Sequence, residues 1–289
     1  MSPKREDPPS NLTSLNMRIG NLATAMGRPV ARIRRVVANT VVGQMLPPGV
    51  VKGGTAMMLR VGEGGSRNTA DLDVTRAHST ALDAYLSDLD DRLAEGWGGF
   101  TGTVSDLEPS HPEGVPDEYV MRPFKISLTF KSGHWLSLQF EVGHDEVGST
   151  SAWEHRLPGD LIEIFETLGL DTPSPIPVMT VEHQVAQKLH ACTSRDRNGT
   201  NDRAHDLVDL QILDEEETPD LAAVAAVSER LFTSRRSQIW PPTIVTHEGW
   251  GSKYAAAAEG LSVIADIEDA VLWANDLVFR ITRAAARVG

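Results

Sequence analysis

The sequence predicts an α/β fold in which a half that mixes strands with helices precedes a mainly helical half. Two observations carry this prediction. Apolar and polar residues alternate over 120–142, as in strands, whereas residues 178–289 have helical spacing almost throughout. Three prolines within residues 171–177 mark the transition. We therefore expect a disordered tail over residues 1–12, a first domain over 13–172 and a helical C-terminal domain over 173–289.

The elements of the first domain follow from local patterns taken in chain order. Apolar residues over 13–46 have helical spacing, and Gly27-Arg28-Pro29 divides them into two helices. Val50 and Val51 then open a short strand. The remaining predicted elements are a helix over 55–60, a glycine-rich loop over 62–68, a strand over 70–74, a helix over 79–94 and two strands within 120–142.

Composition and charge limit the classes of protein to which the chain can belong. Of its 289 residues, 40% are hydrophobic and 23% are charged, which is typical of a soluble globular protein. The formal net charge is −13, so a nucleic-acid partner requires a local basic patch or bound cations. The single cysteine, Cys192, excludes an internal disulfide. There is no apolar run of roughly 20 residues and no signal peptide, so we expect a cytoplasmic protein without a membrane partner.

Two aspartates on the strand predicted over 70–74 are the first candidates for catalytic residues. Asp71 and Asp73 alternate along that strand, so their carboxylates share a face while Leu72 points into the core. Two like charges side by side favour a cation between them, and Mg²⁺ prefers carboxylate oxygens. A pair of such ions can stabilise both the attacking and the leaving oxygen of a phosphoryl transfer. The alternative interpretation is a polar strand end, because Asp-x-Asp is common by chance.

A glycine motif upstream favours the catalytic interpretation. Lys52-Gly53-Gly54-Thr55 lies between a predicted strand and a predicted helix. Glycines allow the backbone to approach a triphosphate closely, and a helix N-terminus attracts anions. The Thr55 hydroxyl can donate a hydrogen bond to a phosphate oxygen. This position between strand and helix, upstream of Asp-x-Asp, predicts a nucleotide-binding site.

Glu141 is the candidate for a third carboxylate. Along residues 135–142 apolar and polar side chains alternate, and Glu141 falls on the polar face near the end of the strand. A neighbouring strand that carries a carboxylate would complete a metal site with the two aspartates. An ordinary exposed strand residue is the alternative.

In the helical half, Lys188 and Asp206 each lie within an apolar helix face. An inward-facing lysine requires a partner or a function. One interpretation is a structural salt bridge between the two residues. In the other, Lys188 neutralises nucleotide phosphates, and Asp206 acts either as a base or as the group that orients Lys188. The sequence leaves both roles of Asp206 open.

Together these motifs resemble those of the AbiEii/AbiGii family of nucleotidyltransferase toxins, which includes the MenT group. The Gly-Gly-Thr motif of that family corresponds to Gly53-Gly54-Thr55, and its Arg-x-Ser/Thr-x-Asp-Leu-Asp motif to residues 67–73. Its strand that ends in a carboxylate corresponds to Glu141. The family's Ala-x-Lys-Leu and Asp-x-x-Asp-Leu motifs correspond to 186–189 and 206–210.

The resemblance implies a polymerase-β-like nucleotidyltransferase domain with a mixed sheet, followed by a mainly helical domain. It implies a toxin of a type IV toxin–antitoxin or phage-defence system, with a cognate antitoxin that acts without a stable complex. The catalytic set would be Asp71, Asp73, Glu141, Lys188 and Asp206, of which the first three would bind Mg²⁺ or Mn²⁺. The residues expected to bind the nucleoside triphosphate are Lys52, Gly53, Gly54, Thr55, Arg67 and Lys188.

The leading functional hypothesis is an enzyme that transfers a nucleoside monophosphate from a nucleoside triphosphate to an acceptor hydroxyl and releases pyrophosphate. The acceptor expected from the resemblance is the 3′ end of tRNA, whose modification blocks translation. A protein side chain or a small molecule such as an antibiotic is an alternative acceptor. A non-catalytic nucleotide- or RNA-binding module is an alternative of another class, although such a module has no need of three carboxylates.

Basic residues outside these motifs are candidates for RNA contact. They are Arg28, Arg32, Arg34 and Arg35 in the N-terminal region and Arg230, Arg235 and Arg236 in the helical half. The alternative is that these arginines form ion pairs with the carboxylate-rich stretch 81–120 of the same chain.

Overall fold

A computed structural model describes residues 7–107, 122–195, 199–236 and 238–287. Contacts within the backbone divide the chain into two compact units. The first unit comprises the residues up to Gly64 together with Asn68–Val178, and the second comprises Gly65–Arg67 and the residues from Met179 onward. The division thus falls after Val178, whereas the sequence places the boundary after residue 172.

The first unit contains seven strands and five helices in its described residues. The helices are α1 (Leu12–Ala25), α2 (Val30–Gly43), α3 (Gly53–Gly65), α4 (Leu82–Glu95) and α5 (Gly159–Leu168). The strands are β1 (Gly49–Lys52), β2 (Leu72–Arg76), β3 (Phe100–Asp106), β4 (Arg122–Phe130), β5 (Gly133–Gly143), β6 (Trp153–Arg156) and β7 (Ile176–Met179). The two predicted N-terminal helices and the predicted strand pair within 120–142 are confirmed. The strands β3, β6 and β7 are additional to the prediction.

The seven strands form one mixed sheet in the order β3-β4-β5-β2-β1-β7-β6. At its centre β2 pairs antiparallel with β1 and parallel with β5. Register aligns Val51, Val74 and Val142 in one row across these three strands, and all three belong to the hydrophobic core. Because successive residues of a strand point to opposite faces, the next row lies on the face away from this core.

The mixed sheet together with the surrounding helices confirms the predicted α/β fold. Apolar residues of α1, α2, α4 and α5 join the buried face of the sheet in a single cluster. The helix α3 contains a kink at Gly62, whose φ is 84°. A Cβ atom at that position would lie 2.5 Å from a carboxylate oxygen of Asp160, so the kink depends on glycine.

The N-terminal tail is shorter than predicted within the described residues. The backbone carbonyl groups of Pro9 and Ser10 accept hydrogen bonds from Lys131 Nζ at 2.6 and 3.0 Å. The side chain of Asn11 caps α1 by accepting a hydrogen bond from the Ser14 amide. The prediction of disorder therefore fails for residues 9–12, and its part over residues 1–6 lies outside the described residues.

The second unit is helical, as its spacing predicts. Its helices are α6 (Val181–Thr193), α7 (Ala204–Glu216), α8 (Leu221–Arg235), α9 (Trp250–Ala258) and α10 (Ile267–Ala285). The predicted break between α8 and α9 contains a cis peptide bond between Trp240 and Pro241. Among the described residues of the whole chain, no helix combines the length and the apolar character needed to cross a bilayer.

Candidate active site

A row of charged side chains crosses the centre of the sheet. Register pairs Lys52 of β1 with Asp73 of β2, and Asp73 with Glu141 of β5. Paired residues on adjacent strands project to the same face, with Cβ atoms about 5 Å apart. We call these three residues the charged row. All three are half-buried, so the row presents one cation and two carboxylates on the face away from the core.

The two motif glycines allow neighbouring side chains to approach the start of α3. Gly53 has a φ of 64°, and a Cβ atom there would collide with the Asp73 carboxylate. A Cβ atom at Gly54 would lie 2.5 Å from Thr69 Oγ1. The sequence assigns these glycines to the approach of a triphosphate. In the structure they make room for Asp73 and Thr69, which fixes Asp73 beside the N-terminus of a helix.

The strand that was predicted over 70–74 begins at Leu72 in the structure, so Asp71 lies immediately before β2 rather than within it. Strand pairing therefore positions Asp73 but not the side chain of Asp71. The carbonyl oxygen of Asp71 accepts a hydrogen bond from Thr55 Oγ1 at 2.9 Å. This bond is the contact that ties the backbone of Asp71 to α3.

The hydrogen bonds of the Thr55 side chain differ from the predicted one. It is 1% exposed, its hydroxyl donates to Asp71, and its oxygen accepts a hydrogen bond from Asn39 Nδ2 at 2.9 Å. A hydroxyl has a single proton to donate. The predicted hydrogen bond from Thr55 to a phosphate is therefore not available in this arrangement.

The carboxylates of the charged row have the donor chemistry of a site for Mg²⁺ or Mn²⁺. These hard cations take oxygen ligands, and two carboxylates at paired positions of adjacent strands supply them. Across the described ranges, no three His, Cys, Asp or Glu side chains converge closely enough to form a metal centre. The two carboxylates of the charged row fit a divalent cation, because their oxygen atoms are the right type of ligand and both project from the same face of the sheet.

Near the charged row, the residues after β5 add one titratable group. Burial lowers the pKa of His144, Glu146 opposes that shift, and the positive charges of Arg76 and Lys52 add to it. The net pKa lies below the ordinary value, so the His144 ring is neutral at pH 7. A Cβ atom at Gly143 would lie 3.1 Å from Lys52 Nζ, so glycine leaves room for the lysine there.

Within the second unit, four charged side chains form what we call the ion cluster: Lys188, Asp206, Asp209 and Arg67. Lys188 Nζ donates to Asp206 Oδ1 at 2.9 Å and to Asp209 Oδ2 at 2.5 Å. Arg67 Nε lies 3.0 and 3.1 Å from the two carboxylate oxygens of Asp209. The ion pair of Lys188 with Asp206, which the sequence allowed as one of two interpretations, is present. Two cations and two carboxylates balance, which is how buried charges are tolerated.

The two central members of the ion cluster are charged at neutral pH. Burial by itself lowers the pKa of Lys188, but the carboxylates of Asp206 and Asp209 outweigh burial and raise it above the ordinary value. Burial raises the pKa of Asp209, but Lys188 and Arg67 outweigh that effect and lower it. Each group therefore holds the other in its ionised form.

A comparison with protein families decides the relationship of the chain. Residues 42–274 match the model of the nucleotidyl transferase AbiEii toxin, type IV toxin–antitoxin system. The chain belongs to this family. The match extends from the end of α2 into α10, so it includes both the charged row and the ion cluster. The predicted resemblance is thereby confirmed, and the protein is a nucleotidyltransferase toxin of the type IV class.

Two solved structures are similar to this chain over most of its length. The nucleotidyltransferase toxin MenT4 from Mycobacterium tuberculosis H37Rv has a TM-score of 0.52 and 17% identity, over 93% of this chain and 98% of that one. JHP933 from Helicobacter pylori has a TM-score of 0.43 and 17% identity, over 88% of this chain and 92% of that one. No curated protein matches the sequence. At such low identity the likeness to MenT4 establishes a shared fold.

One member of the ion cluster, Asp209, was not among the predicted site residues. Asp209 is 0% exposed and is the only member of the ion cluster that contacts both cations in the described hydrogen bonds. Asp206 and Asp209 are three residues apart on α7, so they face the same side of the helix. Both aspartates belong to the Asp-x-x-Asp-Leu motif over 206–210, from which the sequence singled out Asp206 alone.

The predicted N-terminal basic cluster is partly used inside the first unit. Arg28 and Arg32 both pair with Glu63, which is 1% exposed, and Arg32 also donates to the Glu63 carbonyl oxygen at 2.6 Å. Arg34 donates to Asn16 Oδ1 at 3.0 Å. The partner of Arg28 and Arg32 is thus Glu63 rather than the stretch 81–120. These two arginines stabilise the kinked end of α3, which argues against a primary role in RNA contact.

Proposed function

We propose that this toxin transfers a nucleoside monophosphate from a nucleoside triphosphate to a hydroxyl group of RNA, with tRNA 3′ ends as the acceptor, and thereby blocks translation. The observation that carries the proposal is the charged row, in which a lysine and two carboxylates share one face beside the N-terminus of α3. A binding protein has no need for two carboxylates at the site of an anionic ligand, because they repel it.

The reaction requires one bond to form and one to break. The acceptor oxygen attacks the α-phosphorus, the bond from that phosphorus to the oxygen bridging to the β-phosphate breaks, and pyrophosphate leaves. The acceptor proton passes to a base or to water. Glu141 is our candidate for that base if it does not itself bind the cation, because it projects from the same face as Asp73.

Asp71 and Asp73 would hold Mg²⁺ or Mn²⁺, and Glu141 would either add a third carboxylate to this set or act as the base. Such a cation supplies charge stabilisation for the attacking and leaving oxygens. Asp73 is held for this role by strand pairing and by its close approach to Gly53. The backbone of Asp71 is held by Thr55.

Positive charge for the triphosphate comes from several groups. In the first unit, Lys52 and the backbone amides at the start of α3 would bind phosphate oxygens, because a helix N-terminus attracts anions. In the second unit, we assign Lys188 and Arg67 to the neutralisation of phosphate charge. Asp206 would orient Lys188, and its 2.9 Å contact with the lysine ammonium supports this role over that of a base.

The decisive experiment measures transfer to total cellular RNA with each of the four labelled triphosphates. We expect labelled RNA at the size of tRNA, pyrophosphate release that depends on Mg²⁺ or Mn²⁺, and growth arrest on expression. Co-expression of a cognate antitoxin should restore growth without a co-purifying complex. If the label appears in protein or in a small molecule instead, the proposal that RNA is the acceptor is wrong. If the protein binds nucleotide but releases no pyrophosphate with any of the acceptors, the proposed enzymatic activity is wrong.

A further inference from the structure

We infer that Asn39 and Thr55 are positioning residues that hold the backbone of Asp71 in place for catalysis, and that Thr55 does not bind the triphosphate. This inference rests on the proposed function for its catalytic part. Its geometric part depends only on a chain of two hydrogen bonds, which runs from Asn39 Nδ2 to Thr55 Oγ1 and from Thr55 Oγ1 to the Asp71 carbonyl oxygen, each 2.9 Å long. We call this chain the Asn39–Thr55 relay.

The direction of the relay follows from the chemistry of its members. The Asp71 carbonyl group can only accept, so the single hydroxyl proton of Thr55 must be donated to it. The Thr55 oxygen can then only accept from Asn39, which fixes the Asn39 amide with its nitrogen toward Thr55. The relay therefore has one consistent orientation, and it uses the whole donor capacity of the Thr55 hydroxyl.

Burial indicates that the relay has a specific purpose. Asn39 and Thr55 are each 1% exposed, and the Asn39 carbonyl oxygen has no hydrogen-bond partner within the described residues. An unsatisfied buried carbonyl costs about 1–3 kcal/mol. An apolar residue in α2 would avoid this cost, so the amide is explained by the hydrogen bond that it donates to Thr55.

The position of Asp71 explains why such an anchor is needed. The residue precedes β2, so the strand ladder that fixes Asp73 does not extend to it. Leu72 is paired with Phe140 and is 0% exposed, which holds the chain on one side of Asp71. The relay holds the Asp71 carbonyl oxygen, and the backbone of Asp71 is thereby held on both sides. A shift of 1 Å at such a group can cost about 100-fold in rate.

The key variant is Thr55→Val, which keeps the shape of the side chain and removes the hydroxyl. We expect kcat to fall by about 10- to 100-fold. The Kd of the transferred triphosphate, measured by calorimetry with Mg²⁺, should remain within about threefold, which is less than the loss of one ordinary hydrogen bond. Thr55→Ser keeps the hydroxyl and should recover most of kcat. Asn39→Ala leaves Thr55 in place, and we expect it to reproduce the kcat loss in part.

Two results would overturn the inference: a rise in Kd that matches the fall in kcat, which would make Thr55 a phosphate ligand, or full activity in Thr55→Val.

Hydrogen exchange of residues 68–73 without substrate tests the relay separately. Faster exchange there in Thr55→Val, with β4 and β5 unchanged, supports the relay, and unchanged exchange refutes it. If the wild-type protein transfers nothing, the proposed function fails while this measurement still decides the geometry. Asn39→Ala serves for the same measurement if Thr55→Val does not fold.

Discussion

The charged row of the sheet and the ion cluster of the helical unit hold similar charges by opposite means. In the charged row, hydrogen bonds of the strand ladder fix the positions of Lys52, Asp73 and Glu141, and the side chains stay half-buried. In the ion cluster, the charged groups fix one another, and Lys188 and Asp209 are 5% and 0% exposed. A backbone-held carboxylate can accept a new ligand without loss of its position. A carboxylate that is held by its ion pair would lose its position if it left that partner for a new ligand.

The largest expected effect follows from this contrast and concerns Asp73→Asn. The substitution keeps the shape of the side chain and removes the negative charge, so we expect transfer to fall by at least about 100-fold. The melting temperature should change little, because the strand ladder holds the position. Asp91→Asn, at an exposed position of α4, is the matched control for loss of a charge and should retain full transfer. Full activity in Asp73→Asn would remove the charged row from the mechanism.

Lys188→Met should have its main effect on stability. The variant leaves two buried carboxylates with a single cation, and we expect the free energy of unfolding to fall by about 3–5 kcal/mol. Adding Asp206→Leu leaves the balanced pair of Arg67 and Asp209, so the double variant should recover most of that loss in urea unfolding. Transfer then distinguishes the two roles of Lys188. A stable, inactive double variant supports phosphate neutralisation, whereas a stable, active one makes the ion cluster purely structural.

The smallest expected effect is a pH dependence beside the ion cluster. Burial lowers the pKa of His205, Asp206 partly opposes that effect, and the net pKa lies below the ordinary value of 6.5. A group with a lowered folded pKa contributes stability that is present above its unfolded pKa and is lost as pH falls. His205→Gln should therefore lessen the loss of unfolding free energy between about pH 7 and about pH 5. The exposed His134→Gln variant is the control, and an identical pH profile for both variants would contradict this account.

The sequence predicted those parts of the fold that repeat a simple pattern. The hairpin of β4 and β5 alternates cleanly, and α1 and α2 have helical spacing, so local patterns sufficed for them. The strand β3 contains Gly102 and several polar residues and lies at the edge of the sheet, where it pairs with β4. The strand β7 contains Pro177, and that proline favoured a linker in the sequence. Both strands exist because of tertiary pairing, which local patterns do not encode.

The candidate site also has a part that the sequence predicted and a part that depends on tertiary contacts. Residue type and spacing predicted Asp73, Glu141 and the pairing of Lys188, because periodicity alone assigns side chains to faces. The hydroxyl of Thr55 was expected to meet a phosphate, but its direction depends on Asn39 in α2, 16 residues earlier in the chain. The burial of Asp209 likewise depends on Arg67, which is 142 residues away in sequence. Contacts at such separations are properties of the folded chain.

The register of β2 has a consequence for how this protein can evolve. A substitution in β2 changes one side chain, but insertion of one residue between Leu72 and Asp73 would exchange the two faces of the strand beyond it. Asp73 would turn toward the hydrophobic interior, and Val74 would turn outward. The segment from Leu72 to Arg76 can therefore vary in composition but not in length.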